Sequence, residues 1–387
     1  MKSQKCKEIL EGSGRSLLDP RKFLAPGRIN LIGEHVDYVG GKVLPAAIGC
    51  YIEVEILPHS ENVWEFYSVN GSFGFQLPCE NLKNPRKEFP EWTLYPLGVI
   101  AEFQKKGYSI PGMRFQVYGN IPQGAGLSSS AAYEMAIGFG INEILGFGLD
   151  RIELALVGQA AEKNFAGTNC GIMDQFAIAM GKKNHCISLD TNTLDFQYIA
   201  FDLENFEFSL INSNVKHKLN DGQYNLRRQE CEEAVFVFRK KYPDLLNLYS
   251  ASSQETDWPD LPLQIKRRVR HVTSERERTL AFASALASKN FTNAGKLLTQ
   301  THWSLSQEFE VSCPETDYLV EKSLELGVSG ARMMGGGFGG CVLVLASKGV
   351  AKEVFNRIAP DYFNQFRTEC SFLPIEIVDG VKENNPS

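Results

Sequence analysis

The stretch "GAGLSSSAAYEM", residues 124–135, limits the possible folds more than any other part of the chain. It joins two periodic segments. Before it, "FQVYGNIP" alternates apolar and polar residues, which predicts a strand ending near Ile121. After it, Ala132, Met135, Ala136 and Phe139 recur at helical spacing. The glycines and serines therefore sit at a strand–loop–helix junction. The first turn of a helix carries unpartnered N–H groups and partial positive charge. Gly124 and Gly126 let a bulky anion approach the backbone. Ser128, Ser129 and Ser130 add hydroxyls fit to donate to phosphate or to ligate a metal. Such a junction suits a phosphate chain. A plain serine N-cap is the competing reading. A Walker-type loop is excluded, because no GxxxxGK[ST] occurs in the chain.

At 387 residues the chain is long enough for about two domains with full-sized cores. A formal charge of −6 gives no general attraction to nucleic acid or to an anionic membrane. The densest basic run, "KRRVRH" at 266–271, alternates with Ile265 and Val269 and reads as the solvated face of an amphipathic helix. Nine cysteines without a CxxC pair argue against a disulfide framework and for a reducing compartment. The six histidines lack zinc-type spacing. No signal-peptide core and no membrane-length apolar run is present, so a cytoplasmic protein without a membrane partner is expected, with a monomer as the default.

Strands and helices mix irregularly, which predicts an α+β protein of two lobes. The lobes are expected at 1–205 and 206–387. Strands are predicted at 43–58 and 206–215, and helices at 92–106, 150–165 and 312–327. Asp150 and Glu153 have capping-box spacing, and Ser312 is expected to cap the last of these helices.

Three further stretches carry chemistry. "APGRINLIGEHVDYVGG", 25–41, crowds Arg28, Glu34, His35, Asp37 and Tyr38 between glycines. Fixed carboxylates and an imidazole suit a ligand with several hydroxyls, each a donor and an acceptor. A turn held by internal salt bridges is the alternative. "GARMMGGGFGGCVLVLAS", 330–347, contains a literal GxGxxG, but the buried strand "CVLVLA" follows where a dinucleotide site needs a helix. A Gly-rich hairpin close to a ligand remains. In "AAEKNFAGTNCGIMDQFAIAM", 160–180, a helical stripe starts near Gly171 and puts Asp174 in its first turn. A capping carboxylate is the default reading of Asp174, and a solvent-facing one that of Glu162. Together, a phosphate cradle, a hydroxyl-reading cluster with an arginine and an isolated carboxylate are the parts of a small-molecule kinase.

"GRINLIGEHVDY", "GAGLSSSAA" and "GGGFGGC" resemble the three motifs of the galactokinase, homoserine kinase, mevalonate kinase and phosphomevalonate kinase superfamily. The first motif, with "CGIMDQF" and "QYNLRRQECEEA", is similar to the galactokinase branch. The resemblance runs from about Leu24 to about Ala346. It implies two lobes built on mixed and antiparallel sheets, an active site between them, ATP and Mg²⁺ as cofactors, and galactose phosphorylated at its anomeric hydroxyl. By position, Asp174 is similar to the catalytic aspartate and Arg28 to the arginine beside it. Glu34, His35, Asp37, Gly171 and Tyr224 match sugar-contacting positions. Gly124, Gly126, Leu127, Ser128 and Ser129 fall on the phosphate loop, and Ser130 and Glu162 resemble the magnesium pair. Trp92 and Tyr95 lie where the family packs adenine. Val36, Val39, Met334 and Gly336 depart from the usual wording and leave sugar specificity open. A kinase for N-acetylgalactosamine or arabinose, and a non-catalytic sugar and ATP sensor, are the rival readings. Ala131 and Ala132, with Asp174 and Arg28 present, argue against the sensor.

Overall fold

The computed structural model describes residues 19–82, 88–200, 202–216 and 220–384. Its strands, in chain order, begin with β1 (Arg21–Asn30), β2 (Lys42–Val43), β3 (Pro45–Pro58), β4 (Val63–Ser68) and β5 (Phe73–Pro78). They continue with β6 (Met113–Gly119), β7 (His185–Asp190), β8 (Phe196–Ala200) and β9 (Phe206–Lys216). The last are β10 (Gly330–Met333), β11 (Gly339–Ser347), β12 (Ser371–Pro374) and β13 (Lys382–Glu383).

A mixed sheet has the order β13-β1-β3-β6-β4-β5, in which only β4 and β6 run parallel. Its buried face carries the helices Ser129–Leu145 and Met173–Met180, which pack on β1 and β3. An antiparallel sheet β10-β11-β9-β12 carries the helices Pro314–Glu325 and Val350–Phe366. A smaller antiparallel sheet, β2-β7-β8, joins the sugar-type stretch to the first half. β11 is buried along all but its last residue, which explains its unbroken apolar run. One apolar core runs from Phe23 to Val381, and a second lies under the β9–β11 sheet around Val342, Val344, Ile358 and Tyr362. Strand β9 opens the second sheet at Phe206, whereas β13 returns from the C-terminus to pair with β1.

The local signals are realised with two exceptions. Asp150 and Glu153 form the reciprocal capping box at the helix Arg151–Ala161. The strand before the phosphate-type loop stops at Gly119. Cys313, not Ser312, occupies the cap of the helix Pro314–Glu325, and the Ser312 hydroxyl donates to Asp317 instead. The larger exception is the basic run. The helix Leu263–Ala287 buries Arg268 and His271 completely. Arg268 Nε donates to Glu230 at 2.6 Å, and Nη2 to Glu310 at 2.7 Å. A carboxylate from another helix turns what reads as a solvated face into a packed one.

Removing one partner of such a pair leaves a buried charge uncompensated. Arg268→Ala is therefore expected to lower the unfolding free energy by about 3–5 kcal/mol. Denaturant titration of the two proteins checks this, and a loss under about 1 kcal/mol would mean that Glu230 is solvated in the folded protein.

Candidate active site

Pairing of β1 with β3 slips between Pro26 and Gly27. A bulge bends its strand and re-aims the side chains beside it. The next residue, Arg28, is buried and reaches the first turn of the helix Met173–Met180. Its Nε donates to Asp174 Oδ1 and its Nη2 to Asp174 Oδ2, both at 2.7 Å. Its Nη1 donates to the Gly126 carbonyl at 2.5 Å. Burial alone would lower the arginine's pKa, but the Asp174 charge holds it above the ordinary value.

Ser128 stands at the N-cap of the helix Ser129–Leu145 but makes no capping hydrogen bond. It adopts a left-handed backbone, φ 60°, and its hydroxyl donates to Asp174 Oδ2. Such a conformation is costly for a residue with a side chain and marks a constrained position. The plain N-cap reading of Ser128 and the capping reading of Asp174 both give way to this contact. The Gly-rich hairpin between β10 and β11 braces the same loop. A Cβ on Gly126 would lie 3.2 Å from the Met334 carbonyl oxygen, so the two loops pack backbone to backbone.

The hydroxyl-reading cluster is held largely from the second half of the chain. Arg332 on β10 is fully buried and donates to Glu34 Oε2 at 2.5 Å and to the Leu31 carbonyl at 3.0 Å. Glu275 accepts from the Gly33 and Glu34 amides at 2.9 and 3.2 Å. His271 Nε2 lies 3.0 Å from the Glu34 carbonyl. Burial, joined by the nearby His271, pushes the His35 imidazole down to about 3, so it is neutral. Its Nδ1 meets the Tyr38 hydroxyl at 3.0 Å. Asp37 is pushed up to about 7 by burial and then by the Asp174 charge. Gly171 leaves room for it: a Cβ there would lie 1.7 Å from Asp37 Oδ2. Val36 and Val39 belong to the core. Their departure from the family wording therefore alters none of the side chains that line the cleft around Asp174.

Glu162 is buried, against its solvent-facing default. The helix Arg151–Ala161 widens into a π-turn over Glu162–Ala166, a form frequent at functional sites. Glu162 accepts from Ser130 Oγ at 3.2 Å and from Gln175 Nε2 at 2.7 Å. Gln175 also donates to Glu134 at 2.9 Å. Burial, then the Asp174 charge, push Glu162 up to about 7, and burial with the Glu162 charge raises Glu134 further.

These groups meet in one cleft of about 500 Å³, within the usual range for a small-molecule site of ~300–1,000 Å³. Arg28, Asp174, Glu162 and Ser130 line it, as do Gly124, Gly126, Leu127, Ser128 and Ser129. Glu34, His35, Asp37, Gly171 and Tyr224 form its other wall, with Tyr95 at one side. Trp92 does not line it and packs edge-on against Phe73 at 5.2 Å. Sequence reading misses Arg332, Glu275, His271 and Gln175. Arg332 leaves the clearest trace, a lone charge in the otherwise apolar strand "GARM".

Three family profiles match: "GHMP kinases N terminal domain" over residues 95–182, "GHMP kinases C terminal" over 282–365, and "Galactokinase galactose-binding signature" over 15–56. The galactokinase of Thermotoga neapolitana is 42% identical over 361 residues, covering 93% of this chain and 99% of that protein. That of Thermotoga maritima is 41% identical over 372 residues, covering 94% and 99%. The crystal structure of Lactococcus lactis galactokinase complexed with galactose superposes with a TM-score of 0.88 at 31% identity, covering 98% of this chain and 99% of that one. At these identities over nearly its full length, the chain belongs to the galactokinase family.

Proposed function

We propose that the cleft transfers the γ-phosphoryl group of ATP to the anomeric hydroxyl of D-galactose, giving galactose 1-phosphate and ADP. One observation carries this reading. A single carboxylate, Asp174, is clamped by an arginine and by a serine of the phosphate loop, where that loop meets the hydroxyl-reading cluster. Phosphoryl transfer needs in-line placement and charge neutralisation more than covalent chemistry.

A carboxylate offers roughly four acceptor positions. Asp174 gives one to Arg28 Nε, one to Arg28 Nη2 and one to Ser128. The remaining position lies on Oδ1, which among the described residues accepts from Arg28 Nε alone. Oδ1 would orient the sugar hydroxyl and accept its proton. Arg28 would hold the carboxylate in place and offset charge on the transferring group. Glu34, His35, Asp37, Gly171 and Tyr224 would grip the sugar. Neutral His35 has a donor and an acceptor nitrogen, and Asp37 near its half-protonated state both donates and accepts.

The amide-rich mouth of the helix Ser129–Leu145, with Gly124, Gly126, Leu127, Ser128 and Ser129, would cradle the phosphates. Tyr95 stands nearest to an adenine extending toward Trp92. Ser130 and Glu162 offer an oxygen-only donor pair, which suits Mg²⁺. Among the described residues no cluster of three or more His, Cys, Asp or Glu makes a protein cage for a metal. Once bound, Mg²⁺ supplies neutralisation of the phosphate charge.

We also assign residues 1–205 and 206–387 to the two lobes and place the protein in the cytoplasm as a monomer, without nucleic-acid or membrane partners. The eight cysteines among the described residues are free thiols, and no described helix is long and apolar enough to cross a membrane. Free thiols suit a reducing compartment.

An ADP-release assay over galactose, N-acetylgalactosamine and arabinose tests the function. The highest kcat/KM is expected for galactose, and no release with any sugar would overturn it. Asp174→Ala should lower kcat by about 100-fold or more, the range for loss of a general base. Near-parental turnover with an intact fold would remove Asp174 from catalysis. In Gly171→Ala the new Cβ displaces Asp37, so the galactose KM should rise about ten-fold, the worth of one charged hydrogen bond. A KM within about two-fold of the parent's would take Asp37 out of the sugar grip.

Acid should weaken metal–nucleotide binding. Glu162 carries a proton below about 7, and a metal ligand must lose it. Affinity for Mg²⁺ with a non-hydrolysable ATP analogue, read by calorimetry, should fall about ten-fold from pH 8 to pH 6. Glu162→Gln should bind weakly and without that pH dependence. The same slope in the variant would move the titrating group elsewhere.

A further inference from the structure

A second cavity, of about 830 Å³, lies behind the sugar wall. Asp37, Cys170 and Gly171 line both cavities, so the two are separated by a single layer of residues. The second cavity is framed by the π-turn, by the helix Asn220–Lys241 and by the loops around Val39, Asn192 and Leu246. We propose that it is a binding site for a small organic anion with an apolar ring or acyl body, distinct from the sugar and nucleotide sites.

Charge complementarity selects the anion. Lys163, Arg228, Arg239 and Lys240 line the cavity, against Glu232 and Asp37. Asp37 is half protonated near neutrality. Glu232 is spent on Arg228 Nε at 2.9 Å. Lys163 makes no hydrogen bond or ion pair among the described residues. It is half buried, and it lines the cavity. An ammonium taken partly out of water and not ion-paired gains from an anion. Arg228 Nη1 is held by the Asn169 carbonyl at 2.7 Å, which keeps the guanidinium fixed beside Lys163's cavity.

The apolar body follows from the walls. Leu156, Phe236 and Leu246 line the cavity and are exposed, and Val235, Leu194 and Leu248 extend that surface inward. Adjacent residues of the π-turn divide their labour: Glu162 faces the phosphate cleft and Lys163 faces this cavity. A ligand here touches the reverse side of the residues proposed to grip the sugar. The coupling, though not the site, rests on that proposed role.

Anilinonaphthalene sulfonate, an aromatic anion, is the probe, titrated by fluorescence into the full-length protein. One saturable site is expected, retained when galactose and a non-hydrolysable ATP analogue are both saturating. Galactose should change the probe's Kd by a finite factor, and the probe should change the galactose Kd by the same factor. Lys163→Met should weaken the probe about ten-fold, the worth of a charged contact. Leu246→Glu, at the exposed rim, should weaken it as well, and both variants should keep the parental kcat and melting temperature. Inorganic phosphate alone should displace the probe only weakly, because it lacks the apolar body. Absence of binding, unlimited competition by galactose or nucleotide, or parental affinity in both variants would overturn the site. Displacement by phosphate as strong as by a second aromatic sulfonate would overturn its organic character. Failure of the ADP-release assay leaves these outcomes unaffected, because binding is read without turnover.

Discussion

The arrangement depends on one guanidinium. Arg28 donates to both oxygens of Asp174 and to the Gly126 carbonyl, so it ties a strand of the mixed sheet to a helix start and to the Gly-Ser loop. The fork of an arginine suits this task because its donors lie in fixed directions, whereas a lysine would offer a point charge. The bulge at Pro26 and Gly27 aims it. Ser128 closes the arrangement from the other side, at the cost of a left-handed backbone. Positions that must agree within fractions of an ångström are thus set by one rigid contact set, not by several independent loops.

The sugar-type segment lies near the N-terminus, yet its anchors come from the far end of the chain. Arg332 binds Glu34 and the carbonyls of Asn30 and Leu31. Glu275 takes the amides of Gly33 and Glu34, and His271 takes the Glu34 carbonyl. Burial would raise Glu275, but Arg278 and His271 hold it down at about 2, so it stays a charged acceptor for those amides. The segment carries backbone groups that would otherwise be buried without partners, a cost of ~1–3 kcal/mol each. The site therefore draws on the chain on both sides of 205/206, as the mixed sheet does through β13.

Local chemistry was legible in the sequence, and long-range charge pairing was not. The Gly-Ser junction, the Asp150 capping box and the hairpin after Gly330 each depend on neighbours within a few residues, and each took the expected form. Arg268 and Glu162 were read as solvent-facing because burial of a charge depends on a partner, and the partners come from other elements. Glu230 is 38 positions from Arg268, and Arg332 is 298 from Glu34. Periodicity cannot supply such pairs, since it reports only which face an element buries. The motif resemblance names Glu34, Asp174 and Glu162 together, whatever their local defaults, and the structure brings the three to one cleft.

The same burial loads the carboxyl groups of the site. Asp37 and Glu162 both stand at about 7, far above their ordinary values of 3.8 and 4.5. A folded state that binds protons more tightly than the unfolded chain loses stability as pH rises from about 4 to about 7. The two shifts correspond to about 3–4.5 kcal/mol each as an upper order of magnitude. The groups responsible surround Asp174, whose charge contributes to both shifts. A cation bound at Glu162 would reverse one of these costs, and a hydroxyl donating to Asp37 would reverse the other. Binding energy then stabilises the folded chain as well as the reactants, because whatever binds only the folded state shifts the folding equilibrium. A cleft made only of satisfied groups would be more stable when empty and would have less to gain from its ligands.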